Sequence, residues 1–241
     1  MLVPPYSLAP HAYVCVSDDY LFFLNIKRDR YTALPVADAR LIGNDVLGWP
    51  VTPHSFGESA DPERLTETID VLKDGDLIVP TELGGKTAQP VFVPAPERSL
   101  MQPRLLGNRI VKKSSFRYMP TATYALLRAR LTLKRHQLAG AIQRVERRNA
   151  LHTNVPLDMQ KAARLADSFS RLLPYLMTSR RACLFHSLVQ SEFLALHGIY
   201  AHWVFGVRPN PFAAHCWLQK DSVVFNDTVE HVRTYTPILV A

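Results

Sequence analysis

The stretch CLFHSLVQSEFLALHGIYAHWVFGVRPNPFAAHCWLQKDSVVFND, residues 183–227, decides the reading of this chain. Its first part, 183–197, reads as a helix, with Leu184, Leu188 and Phe193 turned inward. Gly198 follows in the position of a C-terminal stop. Residues 201–208 then read as a strand, and 213–219 with 223–227 as the two arms of a hairpin. Helices followed by an antiparallel sheet make this half α+β.

The same stretch holds the residues that can do chemistry. Cys183 opens its helix just after Arg180 and Arg181. The partial positive charge of a helix start and the two guanidinium groups favour a thiolate over a thiol. A thiolate is what a cysteine nucleophile needs at neutral pH. If the hairpin turns through Lys220, Asp221 and Ser222, Gln219 faces Val223, Trp217 faces Phe225 and His215 faces Asp227. Asp227 would then orient His215, and His215 would take the proton of Cys183. A two-residue turn at Lys220 and Asp221 brings Asn226 opposite His215 instead, and a Cys-His-Asn set is also workable. Cys216 follows His215 on the strand, so its side chain is expected on the opposite face, in a structural role. That placement keeps Cys183, His186, His215 and Cys216 from converging on a metal, and no metal site is expected.

Working outward, the segment before this stretch is helical. Leu127 with Leu131, then Leu138, Ile142 and Val145, stand at helical spacing and are expected to face the core. A further helix is expected over 157–175, opened by Pro156. Residues 80–103 carry Pro80, Pro90, Pro94, Pro96 and Pro103, too close together for a helix, and read as loop.

The first third is strand-rich. Residues 12–16, 20–26 and 30–34 read as three strands joined by turns at Ser17-Asp18-Asp19 and Lys27-Arg28-Asp29, an antiparallel meander. A helix is expected from Asp61 as N-cap and Pro62 as first residue, with Leu65, Ile69 and Leu72 on one stripe and Gly75 as its stop. This module has no His, Cys and acid constellation, so its expected work is binding. The domain boundaries expected are 1–95, a linker over 96–107, and 108–241.

Composition agrees with a folded protein. Of the 241 residues, 47% are hydrophobic and 20% charged, so a core can be buried. No stretch reaches the roughly 18 apolar residues of a membrane span. The N-terminus has no basic n-region, so a cytoplasmic location is expected. Three cysteines are too few for a disulfide framework. The net charge of +7 is concentrated between Arg104 and Arg148, with twelve Lys/Arg and one acid, Glu146. Such a run faces nucleic acid, an acidic peptide or another subunit, or else is a solvated helix face. Gly84-Gly85-Lys86-Thr87 matches the end of a phosphate-binding loop, but Pro80 stands where that pattern needs Gly.

The motifs Cys183-Leu184-Phe185-His186-Ser187-Leu188, His197-Gly198-Ile199, Phe205-Gly206-Val207-Arg208, Pro211-Phe212-Ala213-Ala214-His215-Cys216-Trp217 and Asn226-Asp227 resemble the leader peptidases (B proteins) of lasso-peptide biosynthesis. These belong to the transglutaminase-like, papain-like cysteine peptidases. The resemblance spans roughly residues 105–235. It departs at His186, where a larger basic residue is common, and at Cys216, where a small one is. The first 80 or so residues resemble the recognition element that captures leader peptides in pathways modifying ribosomally made peptides, a small winged-helix-like fold. The resemblance implies that Cys183 is nucleophile, His215 base and then acid, and Asp227 orienter. It implies a leader strand added beside Arg30, Tyr31, Thr32, Ala33 and Leu34, against a wall of Leu65, Ile69 and Leu72. The implied partners are the precursor peptide and a separate asparagine-synthetase-like lasso cyclase that uses ATP. No cofactor is expected on this chain. Two other readings stay open: acyl transfer to an amine, as in transglutaminases, and a binding protein without catalysis. Nucleic acid is disfavoured because the basic run lies outside the winged-helix-like module.

Overall fold

A computed structural model describes residues 3–52, 62–101, 113–176 and 183–241. The chain divides into two compact units. One comprises 1–92 with 207–213 and 236–239, the other 93–206 with 214–235 and 240–241.

In the first unit, β1 (Tyr6–Leu8) pairs with β5 (Ile78–Pro80) in a small two-stranded sheet. Between them lie β2 (Ala12–Ser17), β3 (Tyr20–Asn25) and β4 (Arg30–Pro35), then helices α1 (Val36–Leu41) and α2 (Pro62–Asp74). β2, β3 and β4 form an antiparallel meander with Val14 opposite Phe23 and Phe23 opposite Thr32. Asp18 and Asp29 take left-handed conformations at its two turns. The second turn is also tied by Asn25, whose side-chain Oδ1 accepts the N–H groups of Lys27 and Arg28. Leu21 and Phe23 of β3 join Leu34, Ala39, Ile42 and Leu72 in one core.

Three details differ from the sequence reading. Helix α1 and the β1–β5 pair are short, six and three residues, and carry too few positions to show a period. The left-handed residue that ends α2 is Asp76, not Gly75. Asp76 N–H bonds Lys73 O and Leu77 N–H bonds Leu72 O, the paired closing bonds of a Schellman end, while the Asp76 carboxylate meets His11 at 3.0 Å. The expected N-cap Asp61 lies outside the described residues.

The second unit is built around α5 (Cys183–Leu196). Before it come β6 (Arg98–Ser99), α3 (Met119–Ala150) and α4 (Met159–Leu176). After it in the chain come β7 (His202–Arg208), β8 (Ala213–Lys220), β9 (Val223–Val224) and α6 (Val229–Val232), and then β10 (Thr236–Val240), most of which is counted with the first unit. The strands form one sheet in the order β10-β7-β8-β9-β6. It is mixed, because β6 runs parallel to β9. This strand sits inside the proline-rich segment read as loop; two residues are too few for a strand pattern.

Helix α5 is buried from Ser187 to Leu194 and packs against α3 and α4. Its end follows the sequence reading, with Gly198 left-handed and Ile199 N–H bonded to Leu194 O. The face α3 buries is not the one expected. Ala122, Ala125, Ala129 and Thr132 are buried, whereas Leu127 and Leu131 are about half exposed. Small residues let α3 approach its neighbours closely, so the stripe of larger side chains is left outside. Beyond the break at Gln137, Leu138, Ile142 and Val145 do face the core. Asp158, rather than Pro156, opens α4, its Oδ1 accepting the N–H of Lys161.

Candidate active site

Glu192, buried on α5, anchors the helix that carries Cys183. Its carboxylate meets Arg128 at 3.0 Å, Arg148 at 3.3 Å and Arg144 at 3.7 Å. Part of the basic run therefore has an internal role. Arg104 and Arg109, in the same run, lie outside the described residues, as do Arg180 and Arg181.

Cys183 is the first residue of α5 and is half-buried. Its thiol lies near enough to Cys216 and to the ring of His215 for both to act on its charge. Hydrogen bonding from Cys216, then from His215, outweighs burial and pulls the thiol down to about 4. Cys216 is thus no remote structural residue. It is buried beneath α5, where Ser187, one turn after Cys183, touches its thiol at 3.9 Å and donates to its carbonyl at 3.2 Å. Alternation along β8 separates the side chains of residues 215 and 216, but the start of α5 lies across the strand and meets both. The neighbouring Cys183, and then burial, push the Cys216 thiol well up, so it keeps its proton beside Cys183.

His215 lies on β8 with Nε2 at 2.5 Å from Asp227 Oδ2. With Nε2 on Asp227, Nδ1 is the nitrogen left for Cys183. Its ring is flanked by Trp217 and Tyr235. Burial would lower the pKa of His215, but the bonds to Asp227 and Cys183 overcome this and raise it to about 9. Asp227 is held below the usual carboxylate range: burial opposes ionisation, and donors from His215, His231 and the Thr228 N–H outweigh it. Between these values Cys183 is a thiolate and His215 an imidazolium, a nucleophile paired with an acid.

The contact between His215 and Asp227 does not come from the expected register. The turn has two residues, Asp221 and Ser222, with Asp221 left-handed, and Lys220 pairs with Val223, Gln219 with Val224. A regular continuation would set Cys216, not His215, opposite Asp227. The ladder instead ends, and Asn226 Oδ1 takes the N–H of Leu218. The chain then turns so that the Asp227 carboxylate reaches His215. Ser99 on β6 holds the Asp227 carbonyl at 2.6 Å. Asn226, the alternative orienter, donates to Ser187 Oγ at 2.8 Å and its bonds lie away from His215.

Sequence reasoning missed Ser99, Ser187 and His231. Ser99 and Ser187 had no signal. His231 stands four residues after Asp227, a helical spacing hidden because α6 is one turn long. His215, Asp227 and His231 bring their ligand atoms within 4.8 Å of one another, a set able to hold a cation.

In the first unit, Arg30, Tyr31, Thr32, Ala33 and Leu34 lie on β4, the last strand in its sheet order. Leu34 and Leu72 are spent in the core, while Leu65 and Ile69 pack against it part-buried. A hollow of about 280 Å³ in this unit is lined by Tyr31, Thr32 and Ala33 with Tyr20, Phe22 and Phe212. Among the described residues no helix is long and apolar enough to cross a membrane.

No curated protein and no solved structure gave a significant match. Residues 123–240, which hold every residue of the Cys183 cluster except Ser99, match the family described as the transglutaminase-like superfamily.

Proposed function

We propose that this chain is a cysteine peptidase that binds the leader of a lasso-peptide precursor and cleaves it from the core peptide. The observation that carries the reading is the His215–Asp227 hydrogen bond at 2.5 Å beside Cys183 at the start of α5, whose thiol His215 holds toward the thiolate. Cys183 Sγ attacks the carbonyl at the leader–core junction. The Cys183 N–H, at the helix start, would receive the developing oxyanion. The imidazolium of His215 gives its proton to the leaving core amine, and the leader stays on sulfur as a thioester. Water, deprotonated by His215, then releases the leader carboxylate and frees the thiolate. A separate ATP-dependent, asparagine-synthetase-like cyclase would close the exposed amine into the macrolactam. This chain would need no cofactor, and nucleic acid has no part in the reading.

The first unit would serve as a winged-helix-like recognition element. The leader would add as a strand along β4, with side chains in the hollow beside Tyr31 and Phe212. Leu34 and Leu72 would then support the groove from the core rather than line it.

The test is mass spectrometry of the precursor peptide from the same gene neighbourhood. It is incubated with the wild-type chain and with Cys183→Ala, with and without the cyclase and ATP. Cleavage at the leader–core junction by the wild type alone is expected. A precursor intact in every tube yet bound would leave a leader-binding protein. A leader ending in an amide rather than a carboxylate would make the chain an acyltransferase.

A further inference from the structure

The Asp227 carboxylate carries one ring more than a Cys-His-Asp set needs. His215 Nε2 lies 2.5 Å from its Oδ2, and His231 Nδ1 lies 2.8 Å from the same oxygen. The other oxygen, Oδ1, accepts the N–H of Thr228 at 2.7 Å. His231 is brought there by α6. Thr228 is its N-cap, with Oγ1 accepting the N–H of His231, and one helical turn returns the side chain to the face of Asp227. The ring is kept upright by Tyr235, which meets it edge-on at 5.3 Å.

We propose that His231 is a positioning residue: its Nδ1–H donates to Asp227 Oδ2 and holds the carboxylate in the orientation that receives Nε2–H of His215. The proposal rests on the cysteine-peptidase reading above.

The physical argument is torsional. The terminal torsion of an Asp side chain is broad, so a carboxylate bonded at one oxygen rocks about its axis. The Thr228 N–H fixes Oδ1, and His231 fixes Oδ2. His215 then meets an acceptor already in place, as preorganised sites require. The donor role requires only a proton on Nδ1 of His231, whose side chain is 44% exposed. The titratable groups facing His231 are Asp227, His215, whose ring centre is 4.9 Å away, and Tyr235; Glu230 precedes it on α6.

The experiment measures the rate of alkylation of Cys183 by iodoacetamide against pH, followed by mass spectrometry of the peptide bearing Cys183. This readout needs no peptide substrate. It compares the wild type, His231→Phe, which keeps a ring against Tyr235 but has no donor, and His231→Asn, whose amide places a donor near Nδ1. Thermal unfolding midpoints accompany each. The acid limb of the His231→Phe profile is expected to move up by about one pH unit, the tenfold loss of thiolate that one lost charge-assisted bond brings. His231→Asn is expected to return it toward the wild type. A His231→Phe profile that overlays the wild type overturns the proposal. So does a His231→Asn profile displaced as far as that of His231→Phe. A wild-type Cys183 with no reactive thiolate below pH 7 overturns the peptidase reading itself.

Discussion

Asn226 Oδ1 accepts the backbone N–H of Leu218 at 2.8 Å, in the place a strand carbonyl would take, and so ends the β8–β9 pairing just before Asp227. The departure lets Asp227 escape the alternation of the strand and turn toward His215. Asn226→Ala removes that acceptor and the donor to Ser187 together. It is expected to cost about 1–3 kcal/mol, because the N–H of Leu218 loses its partner in a part-buried site. Chemical denaturation checks the stability. A matching loss of Cys183 alkylation near neutral pH would show that the Asp227 position goes with it.

The protonation states predict a bell-shaped pH dependence for the proposed leader cleavage. Below a pH of about 4 the Cys183 thiolate is protonated and the nucleophile is lost. Above about 9 the His215 imidazolium loses the proton that the leaving amine needs. Single-turnover cleavage across this range checks both limbs. An acid limb near the ordinary thiol value of 9.0 would contradict the pairing.

Cys216→Ala removes the first of the groups that hold the Cys183 thiolate. The variant should stay folded, because a small apolar residue replaces a small buried one. The acid limb of Cys183 alkylation is expected to rise, with a roughly tenfold slower reaction at pH 5. Replacing Asp227 by Asn should act elsewhere, lowering turnover by ~10³-fold or more through loss of the His215 orientation.

Glu192→Gln tests the anchor of α5. It leaves Arg148, which is largely buried, facing Arg128 and Arg144 without a counter-charge. The expected loss is about 3 kcal/mol, the low end for a broken buried pair, because Arg128 and Arg144 reach solvent. Thermal unfolding checks it. Glu192→Gln with Arg148→Met should recover part of the loss.

Leader capture at β4 is tested by Tyr31→Ala and Phe212→Ala, which open the hollow of the first unit. Each is expected to weaken binding of a labelled leader about fivefold to tenfold by fluorescence anisotropy, as loss of one aromatic contact does. Alkylation of Cys183 should not change. Unaltered leader affinity in both variants would remove this face from the binding reading.

The sequence by itself determined the parts set by local periodicity and chemistry. These are the meander of β2, β3 and β4, helix α5 with its stop at Gly198, and the mixed helix and sheet class. It also singled out Cys183, His215 and Asp227 as residues to bring together. Tertiary structure alone decided how they meet. A strand pattern repeats every two residues, so it carries no mark of where a ladder ends, and the turn at Asp221 and the side chain of Asn226 replaced the expected register. Leu127 and Leu131 read as core by hydrophobicity, yet close helix packing selected Ala122, Ala125 and Ala129. Ser99, Ser187, Cys216 and His231 join the cluster through contacts between separate elements, and such contacts have no period for a sequence to display.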